Sequence, residues 1–146
     1  MKVIAQNRKA RHEYFIEETY EAGIKLKGSE IKSIREGKVN INEAHIIIRN
    51  GELFIVGMHV SSYLQSGSFN HDESRDRKLL MHKREILKLQ TRREKEGYTL
   101  IPLRLYFKQA LLKVEVAVAK GKKLYDKRES LKKEDQKRRL RKLGVK

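Results

Sequence analysis

The chain has 146 residues, 38% of them apolar, with no cysteine and a formal net charge of +16. That length suits one domain plus an extension, at ~100–200 residues per domain, and the absence of cysteine excludes disulfides and thiolate metal sites and suits a reducing cytoplasm. No apolar run approaches the ~20 residues of a membrane span, and Lys2 is followed only by Val3-Ile4-Ala5, so neither a signal-peptide core nor a membrane partner is expected.

Residues 1–12 are polar and basic, ending in Asn7-Arg8-Lys9-Ala10-Arg11-His12, and read as a charged arm ahead of the first strand. Residues 13–27 are rich in aromatic and β-branched side chains. Ala22, Ile24 and Leu26 alternate there with Gly23, Lys25 and Lys27, the period of a half-buried strand, with Gly23 marking a bulge or bend. Ser29 as N-cap, Ile31 and Ile34 three apart and Gly37 as stop predict one short helix. Residues 45–50 and 52–60 predict a hairpin, because Asn50-Gly51 tolerates the two positive φ angles of a type I′ turn. Residues 61–76 lack periodicity and form the longest loop. Apolar side chains at 79, 80, 86, 87 and 89, followed by Gly97, predict an amphipathic helix over 79–96. Residues 98–108 and 111–119 form a second hairpin through Gln109-Ala110. Val114, Val116 and Val118 point to one of its faces, and Lys113, Glu115 and Ala117 to the other.

Five or six meandering strands with two inserted helices leave sheet edges that closure would remove. The expected fold is mainly β with peripheral α: an OB-fold-like closed antiparallel β-barrel with two to three helices over residues 1–120. A basic tail follows over 121–146. Residues 120–146 carry 13 Lys/Arg against 4 Asp/Glu, +9 of the chain's +16, with few large apolar side chains. Such a block serves as an interaction tail that is disordered when free. A body of this kind with a basic arm and a pI near 10.1 points to a nucleic-acid partner bound in a salt-dependent way.

Enzyme signatures are weak, and no catalytic residue, metal site or cofactor is expected. Gly121-Lys122-Lys123 lacks the upstream glycine and following Ser/Thr of a phosphate-cradling loop. The histidines at 12, 45, 59, 71 and 82 show no metal-ligand spacing. Asn70-His71-Asp72-Glu73 sets a histidine beside two carboxylates, but no nucleophile accompanies it. Tyr14, Phe54, Tyr106 and Phe107 either stack bases or fill the core. Three basic clusters remain: residues 7–11; Arg75, Arg77, Lys78, Lys83 and Arg84; and the tail. The second reads equally well as a solvated helix face.

Several segments closely resemble the small protein B family, the SsrA-binding proteins of bacterial trans-translation. They are Asn7-Arg8-Lys9-Ala10-Arg11-His12-Glu13-Tyr14, Glu21-Ala22-Gly23-Ile24, Gly28-Ser29-Glu30-Ile31-Lys32-Ser33, Arg77-Lys78-Leu79-Leu80, Arg84-Glu85-Ile86, Gly97-Tyr98-Thr99-Leu100-Ile101-Pro102-Leu103, and the run from Ala119 through Arg128. The resemblance covers residues 3 to about 130 in order.

It implies an OB-fold-like barrel that binds the tRNA-like domain of transfer-messenger RNA (tmRNA, SsrA RNA). Such a protein escorts the alanylated RNA, with elongation factor Tu, to stalled ribosomes. By position, Asn7, His12, Glu21 and Leu80 match family residues that support RNA binding. Arg8, Lys9, Arg11, Lys32 and Lys78 complete the expected RNA-binding set. Asn7 and His12 are expected to donate to phosphate, ribose or base groups, Glu21 to accept from a base or 2′-hydroxyl or to orient an Arg, and Leu80 to touch an unstacked nucleotide. For Leu80, core packing of the 79–96 helix is the alternative.

The resemblance assigns Gly121, Lys122, Lys123, Tyr125, Asp126, Lys127 and Arg128 to a ribosome-binding tail that enters the empty mRNA channel near the decoding centre and folds there as a helix. A monomer is expected. Where the family often has Pro after Asn-His-Asp this chain has Glu73, which predicts a less rigid loop; Met81 replaces a common Leu at little cost in volume. The rival readings are a general RNA-binding or ribosomal protein and a nuclease built on His71 and its neighbouring carboxylates.

Overall fold

Alternating apolar and polar side chains build two long strands that organise the molecule. A computed structural model describes residues 1–62 and 72–122. In chain order the elements are β1 (Lys2–Gln6), α1 (Ala10–Glu13), β2 (Tyr14–Ile24), α2 (Gly28–Arg35), β3 (Val39–Asn40), β4 (His45–Arg49), β5 (Glu52–Val56), β6 (His59–Val60), β7 (Arg77–Leu80), α3 (Lys83–Glu96), β8 (Thr99–Lys108) and β9 (Leu111–Gly121). The protein is mainly β, with few helices. Among the described residues the main sheet has the order β1-β8-β4-β5-β7-β2-β9, and β8 also pairs with β9. All of these pairings are antiparallel. The row Val114, Val116, Val118 is wholly buried and packs with Ala22, Leu53, Ile55, Leu79, Leu89, Leu100 and Leu105 in the main core.

Local signals held at the turns. Asn50 and Gly51 have φ of 53° and 75°, and β4 pairs with β5 from His45–Val56 to Arg49–Glu52 across them. Gln109 and Ala110 also take positive φ, 52° and 67°, and join β8 to β9. Gly37, at φ +77°, stops α2. Its N–H donates to Ile34 O at 2.9 Å, and Lys38 N–H donates to Ser33 O at 3.0 Å, satisfying carbonyls that the helix end would otherwise orphan. The N-cap of α2 is Lys27 rather than Ser29: the Glu30 carboxylate accepts the Lys27 N–H at 2.8 Å.

Other expectations are corrected. Residues 1–12 are not a free arm: β1 pairs with β8, and Ala10 in α1 is buried. Residues 52–60 do not form one strand. Gly57 turns the chain at φ +77°, where a Cβ would lie 2.8 Å from Glu43 O, and β6 then pairs with β3 in a separate two-stranded sheet. The 79–96 helix starts later, at Lys83, because Arg77–Leu80 is drawn into the sheet between β5 and β2. Leu79 enters the core while Leu80 faces out.

The bulge in β2 falls between Ile16 and Glu18, not at Gly23, which keeps its register with Leu80 and Lys113. Ala117 lies on the face opposite the valine row, as expected, and is buried there with Ala119. They build a second small core with Ala10, Ile101 and Leu103, with Tyr14 and Ile16 packed against it. Of the expected loop 61–76 and tail, residues 63–71 and 123–146, His71 among them, lie outside the described residues.

Candidate nucleic-acid interface

The outer face of β2, β9 and β8 collects charged and aromatic groups around Glu21. In the sheet Glu21 sits opposite Glu115, which sits opposite Arg104. Arg104 grips Glu115 with two bonds, Nε to Oε1 at 3.2 Å and Nη2 to Oε2 at 2.8 Å, and its guanidinium lies 5.4 Å from the Tyr106 ring centroid. The Tyr106 hydroxyl donates to Glu21 Oε2 at 2.5 Å, with Lys108 Nζ 3.6 Å from the same oxygen. The Tyr106 bond, more than the nearby lysines, holds the Glu21 carboxyl below its ordinary range. Burial and Glu21 together push the Tyr106 hydroxyl well up, so it stays a donor. Glu21 therefore engages a tyrosine and a lysine, while the nearby arginine is held by Glu115.

Leu80 stands beside this group. It is opposite Gly23, two residues along β2 from Glu21 and so on the same face. A Cβ on Gly23 would already touch Leu80 Cβ at 3.4 Å. Leu80 is 51% exposed, so the core-packing alternative is excluded. Lys78, two residues earlier, pairs with Glu52 at 3.1 Å.

The amino-terminal residues reach the other edge of β8. Asn7 Nδ2 donates to Pro102 O at 3.2 Å and Asn7 N–H donates to Leu103 O at 2.8 Å. This fixes the amide and leaves its buried Oδ1 with no partner among the described residues. The donor expected of Asn7 is spent on the Pro102 carbonyl, so the side chain fixes the chain against β8. Arg8 lines a hollow of ≈ 360 Å³ with Gln6, Asn40 and Asn42. Lys9 pairs with Glu43 at 3.2 Å, Arg11 and His12 are exposed on α1, and Lys32 is exposed on α2. The structure thus joins Glu21 and Leu80 on one face and holds Asn7 two residues along β8 from Arg104. Lys9 is held by Glu43 on the loop before β4.

The second basic cluster dissolves. Arg77 is wholly buried, its Nε bonded to Glu30 Oε2, and it donates also to the backbone oxygens of Met58, Arg75 and Glu73. Arg75 grips Glu30 through Nε at 3.1 Å and Nη2 at 2.5 Å. These arginines tie α2 to β7 and are not presented to a ligand. Lys83 and Arg84 remain exposed on α3. Glu73 accepts Ser62 Oγ at 2.7 Å and lies 3.1 Å from His59 Nε2; residues 63–71, the rest of the loop expected to be less rigid, lie outside the described residues. Gly121 ends β9 and Lys122 follows it, its Nζ donating to Arg11 O at 3.1 Å; Lys123, Tyr125, Asp126, Lys127 and Arg128 lie outside the described residues. No helix among the described residues is long and apolar enough to cross a membrane. Sequence reasoning missed Arg104 and Glu115 as site members and gave Tyr106 only a stacking or core role, because only the β8–β9 and β2–β9 registers bring them to Glu21.

A small, strongly basic, mainly β protein with a charged aromatic outer face is the class that fold and surface define. Comparison with known proteins makes it particular: a family model described as SmpB protein matches residues 4–145, and the chain belongs to the SmpB family. The SsrA-binding protein of Geobacillus thermodenitrificans (strain NG80-2) is 56% identical over 139 residues, 95% of this chain and 90% of its own length. That of Clostridium tetani (strain Massachusetts / E88) is 61% identical over 130 residues, 89% of this chain and 83% of its own. A chain of the solved structure "tmRNA-SmpB: a journey to the center of the bacterial ribosome" aligns with TM-score 0.68 at 43% identity, covering 84% of this chain and 85% of that one.

Proposed function

We propose that this protein binds the tRNA-like domain of tmRNA and carries it to stalled ribosomes, with no chemistry of its own. The observation that carries this reading is the outer face where Glu21, bonded to Tyr106, stands beside the exposed Leu80 in a family of SsrA-binding proteins. Glu21 and Leu80 offer something other than phosphate attraction: a carboxylate that accepts from base or ribose donors, and an apolar side chain for an unstacked nucleotide. That suits single-stranded RNA loops, which are read by stacking and by base-edge hydrogen bonds. Arg8, Lys9, Arg11, His12, Lys32 and Lys78 supply the surrounding positive potential and phosphate contacts.

The strand pairings run from β8 through β4, β5, β7, β2 and β9 back to β8, which we read as a closed, OB-fold-like barrel forming one domain over residues 1–120. In this reading the protein acts in the cytoplasm as a monomer. Residues 121–146, from Gly121, Lys122 and Lys123 through Tyr125, Asp126, Lys127 and Arg128, enter the vacant mRNA channel and order there as a helix. Elongation factor Tu joins through the alanylated RNA.

Competition binding tests this. The tRNA-like domain should displace ordinary tRNA at far lower concentration; equal affinity for the two RNAs would leave only a general RNA-binding protein. Truncation after Lys122 should keep the RNA affinity and abolish ribosome rescue. The cut belongs there because Lys120 and Gly121 still pair with Phe15 and Tyr14.

A further inference from the structure

We propose that Phe15, between Lys120 and Lys122, is a stacking site for an unpaired RNA nucleotide, separate from the Glu21 face. The proposal rests on the RNA-binding reading above. Its origin is the way two rows of side chains leave the core. On β9 the buried row Val114, Val116, Val118 continues, two residues on, as Lys120, and Lys122 follows just past the end of the strand. On β2 the facing row is Ala22, Tyr20, Glu18 and then, across the bulge, Phe15, which lies opposite Lys120. Where these strands outrun the core, the inner row changes from apolar to cationic and leaves an aromatic ring at the mouth.

Phe15 is 46% exposed, although β-strand phenylalanines of an inner row usually bury. Lys122 Nζ sits 4.9 Å from its ring centroid and is steered by its bond to Arg11 O. Deeper in the mouth, Lys120 Nζ lies 4.8 Å from the Tyr98 ring centroid, and the Arg92 guanidinium, paired with Glu18 at 3.0 Å and Glu96 at 3.2 Å, lies 5.2 Å from it. Rings alternating with cations are what single-stranded nucleic acid requires: a π-face for a base and a charge for the adjoining phosphate. Phenylalanine has no hydrogen-bonding group, so the site accepts any base. An acidic peptide would satisfy the lysines, but the +9 that begins at Lys120 favours the denser charge of RNA.

The test titrates the full-length protein into a six-nucleotide oligoadenylate carrying one 2-aminopurine. Phe15→Ala and Phe15→Leu should each weaken binding about tenfold with the salt slope unchanged, while Phe15→Trp restores it. Lys122→Gln should lower the salt slope by about one phosphate contact. Phe15→Leu keeps the apolar bulk, so a melting curve like the parent's assigns its loss to stacking rather than unfolding. Binding within about twofold across all three Phe15 variants would overturn the proposal. So would an acidic peptide whose binding depends on Phe15 while RNA binding does not. Selectivity for the tRNA-like domain is measured separately: its loss with the Phe15 effect intact rejects only the preceding reading, and the converse rejects only this one.

Discussion

Replacing Glu30 with glutamine keeps its shape and removes one charge from the junction between α2 and β7. Arg77, with no exposed surface, then loses its counter-charge, and Arg75, its side chain 26% exposed, loses a two-point grip. Removing one partner of a buried ion pair costs ~3–5 kcal/mol. Arg77 keeps the backbone oxygens of Met58, Arg75 and Glu73, and the glutamine oxygen still accepts one bond. The loss should therefore sit near the lower end, at about 3 kcal/mol, equivalent to roughly 10 °C in Tm for a domain of this size. Urea unfolding followed by circular dichroism measures it, and a cost below about 1 kcal/mol would refute the counter-charge role.

The pH dependence supplies a second check. Burial pushes the Glu30 carboxyl up, but hydrogen bonds from Arg75, the Lys27 N–H and Arg77 outweigh it and leave the group below its ordinary value. Burial also lowers Arg77, against the pull of Glu30, yet a guanidinium stays charged across the accessible range. A depressed carboxylate stabilises the fold above its unfolded value of ~4.3 and loses that contribution as pH falls through the lower folded value. The gap between parent and Glu30→Gln should therefore be constant near neutrality and close only below about pH 4.3. A gap that closes between pH 6 and 8 would point to another group.

Tyr106→Phe removes the donor that holds Glu21, so the Glu21 carboxyl, followed by NMR titration, should move up toward its ordinary range; an unchanged midpoint would mean that the lysines set it. Leu79→Ala should cost ~2–5 kcal/mol as a core truncation, whereas the neighbouring Leu80→Ala, at an exposed site, should leave the urea midpoint nearly unchanged and weaken binding of the tRNA-like RNA. Equal destabilisation by the two would contradict the strand register. Gly57→Ala meets both a positive φ and Glu43 O at 2.8 Å, whereas Gly51→Ala meets the positive φ alone. We expect a cost of about 1 kcal/mol at Gly51 and at least twice that at Gly57, with similar unfolding midpoints for the two variants counting against the close approach.

Much of this molecule was legible locally. Asn50-Gly51 announced its turn because few dipeptides tolerate two positive φ angles, Gly37 its helix stop, and residues 114–118 their buried row through a period of two. The family likeness was carried by contiguous motifs, and the uneven charge by simple counting. Arg77 was not legible: a lysine-arginine run carries no mark of which side chain will meet a carboxylate 47 residues away. Leu79 and Leu80 fit a helical stripe as well as a strand, and only pairing with β5 and β2 decided between them. Periodicity reports a residue's relation to its near neighbours. Burial of Arg77, the second core behind Ala117 and Ala119, and the meeting of Tyr106 with Glu21 all depend on which distant strands share an edge. Tertiary structure alone decides that, because the free energy of burying and pairing these groups arises only once both partners are in place.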